Sequence, residues 1–242
     1  MNQESTAPSG AVLHKRRKNK MKAIVYISPS MQPENKYAVG NTNEEAQCTR
    51  IATALDAAMH RCGMDSILPT DSANTMAGRV AESNEAGSAL HMPIHTNAFN
   101  GEVAGLRIFV YKLGGEAEKI AKAIMAELAP ITPGKSDGIS AVPGLYEIRN
   151  TNATCVYLEV GFHDNPEEAQ WIIDHTEEIA EAICKGLCKH YGVKYVSPES
   201  ENSGALYRVQ IGSFRIRENA KNMLSKAKAA GFQDAFIVEV KQ

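Results

Sequence analysis

Short apolar runs alternate with amphipathic stretches along most of the chain. A β-branched run at residues 23–27 ends at a Ser-Pro pair, as a buried strand does where it enters a loop. The spacing of apolar residues then changes to that of a helix. Ile51, Leu55 and Met59 recur every fourth residue and form one apolar helical stripe that ends at Gly63. The same patterns predict strands at 64–68, 89–95, 103–111 and 154–160, and helices at 75–86, 116–128 and within 166–191.

The order of these elements predicts the fold class. Strands that alternate with helices form a mainly parallel sheet with helices on both faces, which is an α/β fold. Pro93 cannot donate a ladder hydrogen bond, so it weakens the centre of the strand at 89–95. Gly192 closes the last helix of this region.

A polar stretch rich in Ser, Glu and Pro indicates a linker before a second, smaller module. That module is predicted as a single βαβ unit, half of a ferredoxin-like arrangement, and is below the size at which a core usually holds alone. Its strands are predicted at 207–211 and 235–240, with a helix at 218–230. The predicted divisions are a disordered basic leader at 1–20, a main domain at 21–194, a linker at 195–204 and the module at 205–242.

The overall charge of the chain is too small to attract nucleic acid or an anionic membrane. The 242 residues carry a net charge of -2, with 43% hydrophobic and 22% charged residues, so we expect neither nucleic acid nor a membrane as a partner. The five cysteines are scattered, which favours reduced core thiols over a disulfide framework. Cys184 and Cys188 are one helical turn apart, but the sequence shows no further soft ligand near them, so core packing is the favoured interpretation.

The first 20 residues are polar and end in a basic cluster with no apolar run long enough for a signal-peptide core. We therefore expect synthesis in the cytoplasm without a Sec signal, and action at another location only after lysis or release. A basic arm that touches an anionic polymer is the alternative interpretation of this segment.

Three polar residues stand where chemistry is expected. Glu159 is a carboxylate inside a strongly apolar strand, so it is either paired with an arginine such as Arg149 or acts as a general base. His95 ends a strand, where side chains converge in parallel sheets, although a single histidine there is commonly structural. Glu44 begins the first helix, where the helix dipole alone favours a carboxylate.

The ordered set of Glu44, then Ile-His-Thr-Asn-Ala around His95, then Leu-Glu-Val-Gly-Phe around Glu159 resembles the zinc-dependent N-acetylmuramoyl-L-alanine amidases of autolysins and phage endolysins. The resemblance covers about residues 22–192. It implies a Zn2+ cofactor, with Glu44 and His95 as metal ligands and Glu159 as the catalytic residue. The implied reaction is hydrolysis of the amide bond between N-acetylmuramic acid and L-alanine by activated water, on glycan strands and stem peptides of peptidoglycan.

The resemblance fails at one position. The family has a histidine ligand in the turn after the first strand, where this chain has Ser30. His163 is the candidate for the third ligand or for a substrate contact, and Asn97 and Ser30 are expected to contact substrate. The rival interpretations are a catalytically inactive cell-wall-binding protein of the same fold, and an unrelated nucleotide-binding domain, which the absence of a Gly-rich phosphate loop disfavours.

The module at 205–242 is similar to half of a SPOR domain, a family that binds glycan strands stripped of stem peptides. A single βαβ unit exposes a sheet edge, so we expect a homodimer that pairs two such edges, or docking of the module onto its own main domain.

Overall fold

A computed structural model describes residues 24–198, 210–232 and 235–239 of the protein. The chain divides into two compact units, residues 1–196 and 197–242. In the first unit the strands are β1 (Ile24–Pro29), β2 (Asp65–Ile67), β3 (Leu90–Asn97), β4 (Arg107–Val110), β5 (Gly138–Ala141) and β6 (Thr154–Phe162). Its helices are α1 (Glu44–Arg61), α2 (Met76–Glu85), α3 (Glu116–Leu128), α4 (Tyr146–Asn150), α5 (Pro166–Asp174) and α6 (Thr176–Tyr191).

The strands form one six-stranded sheet in the order β2-β1-β3-β6-β4-β5. The first four are mutually parallel, β4 is antiparallel to β6, and β5 is parallel to β4. The predicted mainly parallel α/β sheet is confirmed. The sequence analysis missed β5 and α4, because both are short and neither carries an apolar run long enough to give a period.

The two faces of the sheet differ in chemistry. On β6, Val156, Leu158 and Val160 belong to the main core together with the apolar faces of α1, α3 and α6. Cys155 and Tyr157, which alternate with them, belong to a small second cluster with Ile148 of α4. The buried polar side chains of β1 and β3, among them Ser28, His91 and His95, alternate with the residues of the main core and so lie on this second face.

The second unit is described only in part. Its helix α7 (Arg217–Ala229) confirms the predicted helix. Residues 210–211 and 235–239 carry no strand, which corrects the predicted strands over that part; residues 207–209 and 240 lie outside the described residues, as does the predicted leader. The physical reason is that a pair of strands needs a third strand or a packed layer to be stable, and a single βαβ unit offers neither.

None of the helices in the described part of the chain is long and apolar enough to span a membrane.

Candidate active site

The site lies where three parallel strands end. His95 of β3 and Glu159 of β6 are direct neighbours in the strand register. The backbone N–H of Ser30, just after β1, donates to the carbonyl of Ile94 at 2.9 Å, which fixes the end of β1 beside His95. The carboxyl ends of parallel strands are where α/β proteins place their ligands, so the predicted residues meet at the expected edge.

Glu44 and His95 are in direct contact. The Nδ1 atom of His95 lies 2.8 Å from Oε1 of Glu44, and the side-chain amide of Asn35 donates to Oε2 of Glu44 at 2.6 Å. Asn43 caps α1 by accepting from Ala46 N–H, which fixes the first helical residue, Glu44, at the sheet edge. Burial alone would raise the pKa of Glu44, but hydrogen bonds from His95 and Asn35 lower it.

Glu159 contributes a buried carboxylate oxygen with no hydrogen-bond partner among the described residues. Burial is the main cause that raises the pKa of Glu159 to about 7, and the neighbouring charge of His95 opposes this rise. Arg149 is exposed and does not pair with it; the nearest cation in the strand register is Arg107 of β4. Arg107 pairs with Asp137 and packs over the Phe162 ring, so Glu159 has no dedicated salt bridge.

Glu147 of α4 is a site residue that the sequence analysis missed. Its Oε1 accepts from Ser28 Oγ at 2.6 Å and lies 3.0 Å from Nε2 of His91, while its Oε2 lies 3.9 Å from Nε2 of His95. Burial would raise the pKa of Glu147, but hydrogen bonds from His91, His95 and Ser28 lower it to about 2. Its only sequence signal is a carboxylate between apolar neighbours in a five-residue helix, which is too short to show a face.

His95 therefore has a carboxylate near each ring nitrogen, with Glu44 at hydrogen-bond distance from Nδ1 and Glu147 farther from Nε2. Its ring also stacks on Tyr157, with the centroids 4.7 Å apart. Burial alone would lower the pKa of His95, but the neighbouring carboxylates of Glu147 and Glu44 raise it to about 9. His91 is fully buried and stacks on Tyr26.

The remaining predicted residues make other contacts. The Nδ1 atom of His163 lies 3.0 Å from both the hydroxyl and the carbonyl oxygen of Thr96, and its ring stacks on Tyr37. Ser30 is almost fully buried, and its hydroxyl donates to the Gln32 side chain. The side-chain oxygen of Asn97 accepts from the backbone N–H of Ala98. The structure thus brings Glu44, His95 and Glu159 together, and leaves His163 bonded to the strand end beside them.

The donor types at the strand ends fit a zinc ion. Imidazole nitrogen and carboxylate oxygen are both common zinc ligands, and Glu44 and His95 already place one of each within hydrogen-bond distance. The buried, unpaired oxygen of Glu159 is the kind of group that a bound cation or water satisfies. Ser30, just after β1, supplies only a neutral hydroxyl, which is a weaker zinc ligand than imidazole or carboxylate.

Comparison with known proteins identifies a family for the chain. The family profile described as N-acetylmuramoyl-L-alanine amidase matches residues 25–189, which runs from β1 into α6. The chain belongs to this amidase family. The resemblance that the three sequence motifs indicated is therefore confirmed at the level of the family.

Amidase relatives cover different shares of the chain. N-acetylmuramoyl-L-alanine amidase CwlM of Bacillus licheniformis is 27% identical over 171 residues, which is 70% of this chain and 64% of the relative. The germination-specific amidase of Bacillus subtilis is 29% identical over 130 residues, 52% of this chain and 55% of the relative. The sporulation-specific amidase of the same species is 24% identical over 223 residues, 89% of this chain and 84% of the relative. The chain thus spans less than two thirds of the first two amidases.

Solved amidase structures share the fold. The catalytic domain of CwlV from Bacillus (Paenibacillus) polymyxa superposes with a TM-score of 0.63 at 20% identity, and covers 72% of this chain and 100% of that domain. AmiC2 of Nostoc punctiforme superposes with a TM-score of 0.61 at 20% identity, and covers 70% of this chain and 97% of the other.

A SPOR domain profile also matches, at residues 177–239. This confirms the resemblance found at the C-terminal end of the sequence. The match begins within α6 of the amidase unit, well before the predicted module boundary at residue 205.

Proposed function

We propose that the protein is a peptidoglycan hydrolase that cleaves the amide bond between N-acetylmuramic acid and L-alanine with the help of a zinc ion. The observation that carries this proposal is the buried carboxylate oxygen of Glu159, which has no hydrogen-bond partner among the described residues, beside the Glu44–His95 pair at the strand ends. Membership of the amidase family supports the same reaction.

Glu44 and His95 would hold the zinc ion. When bound there, zinc would polarise the scissile carbonyl and make a nearby water more acidic. Glu159 is suited to be the general base, because burial keeps the pKa of its carboxyl near neutrality, where a group both accepts and returns protons readily. It would take a proton from the attacking water and give it to the leaving amine of L-alanine, so no covalent intermediate is required.

Glu147 is suited to be a positioning residue. It stands at Nε2 of His95, on the side of the ring away from Glu44, and is itself held by Ser28 and His91. A carboxylate that accepts the second N–H of a ligand histidine fixes the ring and makes the other nitrogen a better ligand. Glu147 would therefore leave Nδ1 free to face the metal together with Glu44.

Separating metal binding from turnover tests the proposed mechanism. His95→Ala should lose both zinc and hydrolysis, while Glu159→Gln should keep stoichiometric zinc and lose turnover by at least about a hundredfold, since general bases contribute 10²–10⁴-fold. Bound metal is measured by elemental analysis, and turnover by the release from purified walls of stem peptides with a free L-alanine amino terminus. Normal turnover by Glu159→Gln would contradict the mechanism.

A wild-type protein that binds walls without cleaving them would establish the inactive wall-binding alternative that Ser30 motivates.

The positioning role of Glu147 has a distinct signature. Glu147→Ala should weaken zinc affinity about 10- to 100-fold, the usual cost of removing such a partner, without changing the number of zinc ions at saturation. Competition with a chelator measures the affinity, and Glu178→Ala, a change of an exposed glutamate on α6, is the matched control. Unchanged affinity in Glu147→Ala would assign Glu147 to packing alone.

The SPOR match supports glycan strands of peptidoglycan as the partner of the C-terminal unit. The proposed action on the cell wall follows lysis or another route of release, either as a phage endolysin or as an autolysin.

A further inference from the structure

A second group of metal-ligating side chains lies in the core, away from the strand ends. The thiols of Cys62, Cys184 and Cys188 have their sulfur atoms all within 4.8 Å of one another, and all three residues are buried. Cys62 ends α1 and the other two are one turn apart on α6, so the packing of these two helices assembles the cluster from residues distant in sequence. The thioether of Met64 adds a fourth sulfur, 3.8 Å from Cys188 Sγ.

We propose that Cys62, Cys184 and Cys188 form a binding site for a thiophilic d10 metal ion such as Cu(I), Zn(II) or Cd(II). Thiolate and thioether are the ligands that soft metals select. With a metal–sulfur bond of about 2.3 Å, neighbouring sulfurs of a trigonal or tetrahedral site are about 3.8–4.0 Å apart. The sulfurs of Cys62 and Cys184 are already 3.8 Å apart, so this edge of the site needs no rearrangement.

Polar groups of the chain lie beside the sulfur of Cys62. The backbone N–H of Val196 donates to its sulfur at 3.3 Å, and hydrogen bonds to ligand sulfurs are a known device of metal–thiolate sites. Arg61, the next residue in the chain, donates to the carbonyl of Val196 at 2.9 Å and pairs with Glu181, so a cation lies beside the cluster. Binding would form metal–sulfur bonds and release one proton to solvent from each thiol that ionises.

A metal at this position would have a structural consequence. It would join the end of α1 to α6 beneath the segment that closes the amidase unit at Val196. A metal that binds the folded protein but not the unfolded chain raises stability according to its concentration relative to Kd. The site shares no residue with the proposed zinc site at Glu44 and His95, so either proposal can fail without the other.

The test uses the reduced, full-length protein, stripped with a chelator and titrated under anaerobic conditions with Cd(II) in one arm and Cu(I) in the other. Thiolate-to-metal charge-transfer absorption in the ultraviolet should saturate at one equivalent with at least one of these metals, because carboxylate and imidazole ligands do not produce this band. His95→Ala should give the same band. Cys62→Ser and Cys188→Ser should each weaken the binding at least tenfold, whereas Cys155→Ser, which alters a buried thiol outside the cluster, should not.

A second measurement does not depend on the variants folding. Alkylation of the wild-type protein in mild denaturant, mapped by mass spectrometry, should show stronger metal-dependent protection of these three cysteines than of Cys48 or Cys155, which gain only from the added stability of the fold. The proposal is overturned if neither metal produces the charge-transfer band, or if bound metal leaves these three cysteines as reactive as they are in the metal-free protein.

Discussion

Glu159 is an uncompensated buried acid, so its protonation should affect the stability of the metal-free protein. Its pKa is raised from 4.5 to about 7, chiefly by burial. The neutral form is favoured by folding, so the stability it contributes is fully present below pH 4.5 and is lost as the pH rises through about 7.

We predict that Glu159→Gln stabilises the chelator-treated protein at pH 8 but not at pH 5. At pH 5 both side chains are neutral, whereas at pH 8 the wild type must hold a buried charge, which costs up to about 3 kcal/mol. Urea unfolding at the two pH values measures the difference, and Glu178→Gln, at an exposed position on α6, is the control. An equal effect of Glu159→Gln at both pH values would show that its charge is not strained in the fold.

Helix α6 approaches α3 closely at Gly186. A Cβ atom on Gly186 would lie 2.6 Å from Cα of Ile124 and 2.8 Å from the carbonyl oxygen of Ala123, both backbone atoms of α3. The two helices therefore touch backbone to backbone at this point. The same helix carries Cys184 and Cys188 towards α1. A shift of α6 would therefore change both its contact with α3 and the spacing of these cysteines from Cys62.

We predict that Gly186→Ala destabilises the protein although alanine is the better helix former. The propensity gain of about 1 kcal/mol is offset by forced separation of α3 and α6, which typically costs about 1–3 kcal/mol. Thermal unfolding measures the net loss. Gly144→Ala is the control, because a Cβ there meets no other atom within 4 Å; a Gly186→Ala protein as stable as wild type would show that the helices can separate freely.

The homodimer expected from the sequence depended on sheet edges in the C-terminal unit. The described parts of the two predicted strands, residues 210–211 and 235–239, carry no strand. The edge that would have paired two copies is therefore missing over those residues, and the homodimer has no support.

At the scale of the whole molecule, a few contacts made by residues beyond Gly192 hold the end of the amidase unit against its core. The hydroxyl of Tyr195 donates to Glu181 at 2.6 Å, and Val196 is hydrogen-bonded to Arg61 and Cys62. Tyr195 and Val196 also pack against the main core, although the sequence placed them in the linker.

We predict that a chain ending at Pro198 keeps the thermal stability and turnover of the amidase unit, whereas a chain ending at Gly192 loses stability. Only the shorter chain loses the contacts of Tyr195 and Val196. Both chains should sediment less with denuded glycan than the full-length protein does, since both lack the SPOR match beyond residue 198. Equal sedimentation of all three would show that the C-terminal unit does not target the wall.

The sequence by itself determined the sheet class, the family and the three residues of the proposed reaction. Local patterns carry those features: the spacing of apolar residues, and a polar residue in an apolar strand near its carboxyl end, as at His95 and Glu159. Motif order then linked segments that are far apart in the chain.

Only the tertiary structure decided which other side chains join them. Glu147 lies near His95 on a five-residue helix that is too short to show a helical period, and Arg107 lies opposite Glu159 in the antiparallel pairing of β4 with β6, which a βαβ pattern does not predict. Cys62 meets Cys184 across 122 residues because α1 packs on α6. Such contacts depend on how helices pack and how strands order in the sheet, and these are set by the summed burial of the whole core rather than by any local sequence signal.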